Sequence, residues 1–199
     1  MSTDLPNAFI QAEVPKDKKK KSERIIMKIT GKLVDVLISI APEVYSGYVV
    51  YENGKKVIYV VVLRALYGML ISALLWYKKF CSDLEGIGFI FNPYDPCIAN
   101  RIVKKKQQTI RFHVDDLKSS HVDSKVNDKF LEWLKEKYGK IGKLKVTRGK
   151  LHTYLGMIFE YRTKGKVRVD MRKYMSKICL LYTSPSPRDA TLSRMPSSA

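Results

Sequence analysis

TIRFHVDDLKSS, residues 109–120, sets two adjacent aspartates, Asp115 and Asp116, between an alternating apolar run and a second short strand-like run. Ile110, Phe112 and Val114 recur every second residue, the period of a half-buried strand. The run after the acids reads as its returning partner, so the pair sits at a hairpin tip. Two carboxylates held there repel each other, and a divalent cation is the usual compensation for clustered carboxylates. An Asp-Asp turn facing solvent fits the same residues. From this stretch alone the two readings stand level.

Outward from the hairpin, the pattern alternates strands with helices. Residues 97–103 read as a strand that turns at 104–107 and pairs with 109–113, preceded by the turn cluster NPYDP at 92–96. Residues 123–138 predict a helix capped by Asp123 or Ser124, with Val126, Phe130, Trp133 and Leu134 on its apolar face and Gly139 closing it. A strand is expected over 154–161, turning at 163–165 into a strand over 167–171. Upstream, RIIMKIT (24–30) predicts a strand, and residues 31–41 a helix with Leu33, Val36, Leu37 and Ile40 on one side. Residues 49–52, the turn Asn53-Gly54 and the run from Lys55 predict a hairpin. Residues 57–63 read as a buried strand and 65–77 as a helix. The order predicts an α+β fold of antiparallel hairpins with packed helices.

The chain has 199 residues, 45% of them hydrophobic, which suits one domain with a core. Lysine and arginine number 37 against 19 acidic residues, a formal net charge of +18 that points to a polyanionic partner, nucleic acid first. Cys81, Cys97 and Cys179 lie too far apart for a zinc knuckle or a disulfide framework, so a reducing compartment is expected. None of His113, His121 and His152 has close ligand spacing, and the last two read as surface or strand-end residues. Residues 57–77 are long enough to span a bilayer, but Arg64 near their middle costs about 2.5–3.5 kcal/mol there, and a strand followed by a helix explains the run without a membrane. The first residues do not read as a signal peptide. KDKKKKSER (16–24) reads as an exposed loop. Residues 179–199, rich in Ser, Pro and Arg, read as a disordered tail and resemble translated sequencing adapter. The domain proper is then residues 1–178.

Several of these stretches, in this order, resemble the reverse transcriptase of copia-type (Ty1/copia) retrotransposons. The hairpin with its two aspartates resembles the family's catalytic signature, and Tyr154-Leu155-Gly156-Met157 its Phe-Leu-Gly-hydrophobic element. LRALYGMLISALLWY (63–77) is similar to the family's Leu-Tyr-Gly and Trp-Tyr motif, matched by Tyr67, Gly68, Trp76 and Tyr77. Gly88-Phe89 and Asp95-Pro96-Cys97 match its punctuation, and DLPNAF (4–9) its Asp-x-x-x-Ala-Phe element. The resemblance implies a polymerase palm with part of the fingers, acting as an RNA-directed DNA polymerase. It makes Asp4, Asp115 and Asp116 the catalytic metal-binding residues, holding two Mg²⁺ (or Mn²⁺) ions roughly 3.5–4 Å apart. Phe9, Tyr67 and Gly68 would bind the nucleotide and His113 the primer end. Template–primer and dNTPs would be the partners, RNase H and integrase the polyprotein neighbours, and a cytoplasmic particle or the nucleus the location.

The sequence also departs from the family pattern. His113 replaces the usual Tyr, and Met69-Leu70-Ile71 replaces Leu-Lys-Gln, removing a positive charge. The chain starts so near Asp4 that its strand and most of the fingers are expected to be missing, leaving a fragment inactive as it stands. A non-catalytic basic nucleic-acid-binding protein is the rival expectation.

Overall fold

The computed structural model of the chain describes residues 1–15 and 24–183. These divide into two compact units, Asn7–Gly86 on one hand and Met1–Pro6 with Ile87 onward on the other. The basic run at 16–23 and residues 184–199 of the expected tail lie outside the described residues. The α+β expectation holds: twelve short strands pair antiparallel, with five α-helices among the described residues.

The larger unit is built on a six-stranded sheet. Its strands are β1 (Ser2–Asp4), β5 (Ile90–Phe91), β6 (Ile98–Val103), β7 (Lys106–His113), β8 (Asp116–Ser120) and β9 (Lys145–Thr147), in the order β5-β6-β7-β8-β1-β9. The expected absence of a strand under Asp4 is therefore corrected. β1 is short, but it lies between β8 and β9 and pairs with both. Ile110, Phe112 and Leu117 are buried on one face. Against that face packs α4 (Ser124–Tyr138), whose Val126, Phe130, Leu134 and Tyr138 recur every fourth residue and are buried. Asp123 caps α4 by accepting a hydrogen bond from the Lys125 N–H. Lys135 and Lys137 in the last turn offset the negative end of its dipole.

A buried polar chain crosses this interface. Arg101 Nε donates to Gln108 Oε1 (2.7 Å), Gln108 Nε2 to Ser119 Oγ (3.2 Å), and Ser119 Oγ to Asn127 Oδ1 (2.8 Å). Ser119 is fully buried and serves one bond as acceptor and one as donor. Ser119→Ala strands a buried amide N–H and a buried carbonyl, and is expected to lower unfolding stability by about 2–4 kcal/mol. Chemical denaturation checks this.

A second sheet in the same unit is a meander of β10 (Leu151–Tyr154), β11 (Met157–Glu160) and β12 (Arg168–Asp170), followed by α5 (Arg172–Thr183). The single strand expected over 154–161 is thus two. Leu155 and Gly156 both take positive φ (49° and 75°), the two-residue turn that suits a right-twisted hairpin. α5 also runs past residue 178, carrying regular structure into the first residues assigned to the tail.

The smaller unit holds the sheet β2-β4-β3, with β2 at Ile26–Thr30, β3 at Val50–Glu52 and β4 at Lys55–Val61. Its Asn53-Gly54 turn has both residues left-handed, as expected. α1 (Lys32–Ile40) and α2 (Pro42–Tyr45) precede β3, and α3 (Ser72–Glu85) follows β4. Two expectations are corrected here. α1 buries Val34, while Leu33, Val36 and Ile40 are 56, 47 and 73% exposed, because a three-stranded sheet offers too narrow a face to cover the whole apolar stripe. α3 begins at Ser72 rather than Ala65, because Tyr67-Gly68 makes a turn with Gly68 at φ +91°. Ser72 Oγ then donates to the Leu66 carbonyl at 2.6 Å. No helix among the described residues is long and apolar enough to cross a membrane.

A third two-residue turn, between β6 and β7, holds Lys104 and Lys105 at φ 51° and 61° without a glycine. Each left-handed lysine is strained by its Cβ. Lys105→Gly is expected to raise stability by about 0.5–1 kcal/mol, read as a higher Tm.

Candidate active site

Antiparallel pairing sets residues directly opposite each other on the same face of the sheet. The register aligns His113 with Asp116 (β7/β8), Asp116 with Asp4 (β8/β1), and Asp4 with Lys145 (β1/β9). Four strands therefore present a row of His, Asp, Asp and Lys on the face away from α4. Asp115 adjoins the row from the two-residue turn before β8, and its carbonyl accepts a hydrogen bond from the Leu5 N–H at 2.8 Å. The turn is strained. Val114, a β-branched residue, sits at φ +53°, a conformation that costs on the order of 1–3 kcal/mol and tends to persist at functional positions.

The charges behave as this geometry requires. Burial raises the Asp116 carboxyl above its ordinary pKa, the neighbouring carboxylates of Asp115 and Asp4 raise it further, and His113 opposes them. Asp4, half-buried, forms an ion pair with the exposed Lys145 at 3.5 Å. The second row on this face is basic, with Arg111 paired to Lys118 and Lys118 to Ser2. Lys118 Nζ donates to Tyr161 Oη at 2.6 Å and stands 3.7 Å from the centre of the Phe159 ring.

The sequence-derived residues thus fall into two groups. Asp4, Asp115, Asp116 and His113 come together in the larger unit. Phe9, Tyr67 and Gly68 belong to the smaller unit, where the Phe9 and Tyr67 ring centres lie 4.5 Å apart and Gly68 follows in its turn. His121 and His152 join neither group. Of these two, expected at the surface or at strand ends, His121 directly follows the end of β8, and His152 is the second residue of the short β10 but is buried, with Nε2 2.7 Å from the Gly149 carbonyl oxygen.

No family model, curated protein or solved structure matches the chain. Whether the site suits a metal therefore rests on its donors. Three carboxylates supply hard oxygen ligands of the kind Mg²⁺ and Mn²⁺ take. The backbone register already sets two of them side by side. Among the described residues, however, no three His, Cys, Asp or Glu side chains converge as a ready-made metal group. The donor chemistry and the backbone placement fit a divalent cation, and the side chains must draw together to hold one.

Sequence reasoning missed Lys145 and Tyr154. Lys145 carries no motif, and only the pairing of β9 with β1 sets it beside Asp4. Tyr154 was read as the start of a strand and as the first residue of the Tyr154-Leu155-Gly156-Met157 element, not for its hydroxyl.

Proposed function

We propose that this chain is the palm portion of an RNA-directed DNA polymerase of the copia type, built around Asp4, Asp115 and Asp116. The observation that carries the reading is the cross-strand pairing of Asp4 with Asp116. The two residues are more than a hundred positions apart in sequence, and each was singled out by a different motif. A bound pair of divalent cations would lower the pKa of a primer 3′-hydroxyl and neutralise the leaving pyrophosphate. The chain's own residues do the rest. The three carboxylates hold the cations, and His113, exposed on the same row, faces the primer end. In the smaller unit, Phe9 and Tyr67 offer a tilted pair of rings to a nucleotide. Lys104, Lys105, Lys106, Lys125 and Lys129 are exposed on the larger unit, with the three carboxylates, and suit phosphates read without regard to sequence.

The net charge of +18 also favours the rival reading, a basic nucleic-acid-binding protein without chemistry. Primer extension with Mg²⁺ separates the two, measured with the chain embedded in its polymerase domain. Loss of extension on replacing Asp4 or Asp115 with asparagine is expected. Undiminished extension in either variant overturns the proposal.

A further inference from the structure

Tyr154 carries a polar group that its surroundings do not use. It is 3% exposed, and its hydroxyl, shielded from solvent, has no hydrogen-bond partner. A buried hydroxyl without a partner is costly, and a phenylalanine would fill the same space without that cost. Three other buried side-chain atoms among the described residues share this condition: Ser2 Oγ, Thr3 Oγ1 and His152 Nδ1. Tyr154 differs from them in what it faces.

β10 packs against β1 and β8, the strands that bear Asp4 and Asp116. Along β10, Leu151 and Thr153 are exposed while His152 and Tyr154 are buried, so the latter two point inward. His152, the earlier of the two, feels the charge of Lys118, in the row that Arg111 and Lys118 make. Tyr154, two residues on, feels Arg111, Asp116, Cys97 and Asp95, and with burial as the main cause its phenol is pushed up to about 12. The ring is steadied by an edge-on contact with Phe159, its centre 6.5 Å away, and by the tight Leu155-Gly156 turn that follows. A buried, unpartnered O–H donor thus lies on the strand packed against β1 and β8, whose carboxylates must draw together before they can hold a cation.

We propose that Tyr154 is a positioning residue, whose buried hydroxyl donates to the Asp116 carboxylate when the three aspartates converge on a divalent cation. This rests on the reading of Asp4, Asp115 and Asp116 as a metal site. An outer-sphere donor of this kind orients a ligand's oxygen and leaves its remaining lone pairs for the metal.

The test is a titration of the whole chain with MnCl₂, followed by calorimetry or by Mn²⁺ paramagnetic resonance, beside thermal unfolding without metal. Four chains are compared: the unsubstituted protein, Tyr154→Phe, Tyr161→Phe and Asp116→Asn. Tyr154→Phe is expected to unfold at the same or a higher temperature, since its hydroxyl has no partner to lose, yet to bind Mn²⁺ about tenfold more weakly. Tyr161→Phe removes a hydroxyl already bonded to Lys118, and is expected to lower the unfolding temperature while leaving Mn²⁺ affinity unchanged. Mn²⁺ binding that depends on Asp116 but ignores Tyr154→Phe overturns the role of Tyr154 and leaves the metal site standing. Equal weakening in both tyrosine variants reduces the effect to a loosened hairpin and overturns it as well. Binding indifferent to Asp116→Asn overturns the metal site, and the role of Tyr154 with it.

Discussion

Asp115→Asn is expected to cut Mg²⁺-dependent primer extension by at least about a hundredfold while the protein keeps its fold and its hold on template–primer. The substitution keeps the shape of the side chain and removes one negative charge. It leaves alone the Asp115 carbonyl, which accepts from Leu5 and helps to tie β1 to the hairpin. It also relieves repulsion. Asp116 is held above its usual pKa partly by Asp115, so the variant is expected to be no less stable than the parent near neutral pH. Binding to the polyanion should weaken with salt along the same slope in both proteins, because phosphate contacts come from lysine and arginine. Loss of turnover with an unchanged salt slope and an unchanged unfolding midpoint isolates chemistry from binding and from folding. A binding protein without catalysis gives no difference in any of the three.

The second large effect is on stability. Phe130→Ala is expected to cost about 3–5 kcal/mol, a large part of the roughly 5–15 kcal/mol that holds an ordinary domain folded. Phe130 is 1% exposed on the buried side of α4. Its ring stacks on Trp133 at 5.7 Å and lies 5.7 Å from the Phe89 ring, and the Arg101 guanidinium stands 4.5 Å from the Phe89 centre. Removing the ring opens a cavity between helix and sheet and withdraws apolar cover from a half-buried cation. Denaturant unfolding reads the loss as a lower midpoint with little change in slope. Trp133→Ala, at a half-exposed position on the same helix, should cost clearly less.

How much of this was legible in the sequence varied with the range of the forces involved. The Asn53-Gly54 hairpin, the β7–β8 hairpin and the capped helix ending at Gly139 are specified by neighbours within a few residues, and they fold as read, save that Val114-Asp115 makes the tip of the second and Asp116 opens β8. α3 was misplaced because apolar residues run on either side of the Tyr67-Gly68 turn without a break in composition. The stripe of Leu33, Val36 and Ile40 has the spacing of a buried face, but spacing says nothing about how wide a partner the fold supplies. Lys104-Lys105 turns without any of the usual turn residues. The candidate site was legible as separate motifs. Their union depends on β1, three residues long and paired across the whole unit, and Lys145 and Tyr154 join it only through that pairing.

The position of β1 also bears on how the chain acquires its shape. Residues 2–4 leave the ribosome more than 140 residues ahead of β9, which at common synthesis rates is about seven to thirty seconds. For most of that interval β1 has no partner, since β8 emerges only with residues 116–120, and until β1 docks the edge of β8 away from β7 stays open to any extended segment nearby. Closing the sheet requires a long, entropically slow search by a very short strand, so the last pairing made should also be among the slowest. The carboxylate row is therefore assembled only at the end, and hydrogen exchange in refolding protein should show protection in β6 and β7 well before it reaches Thr3.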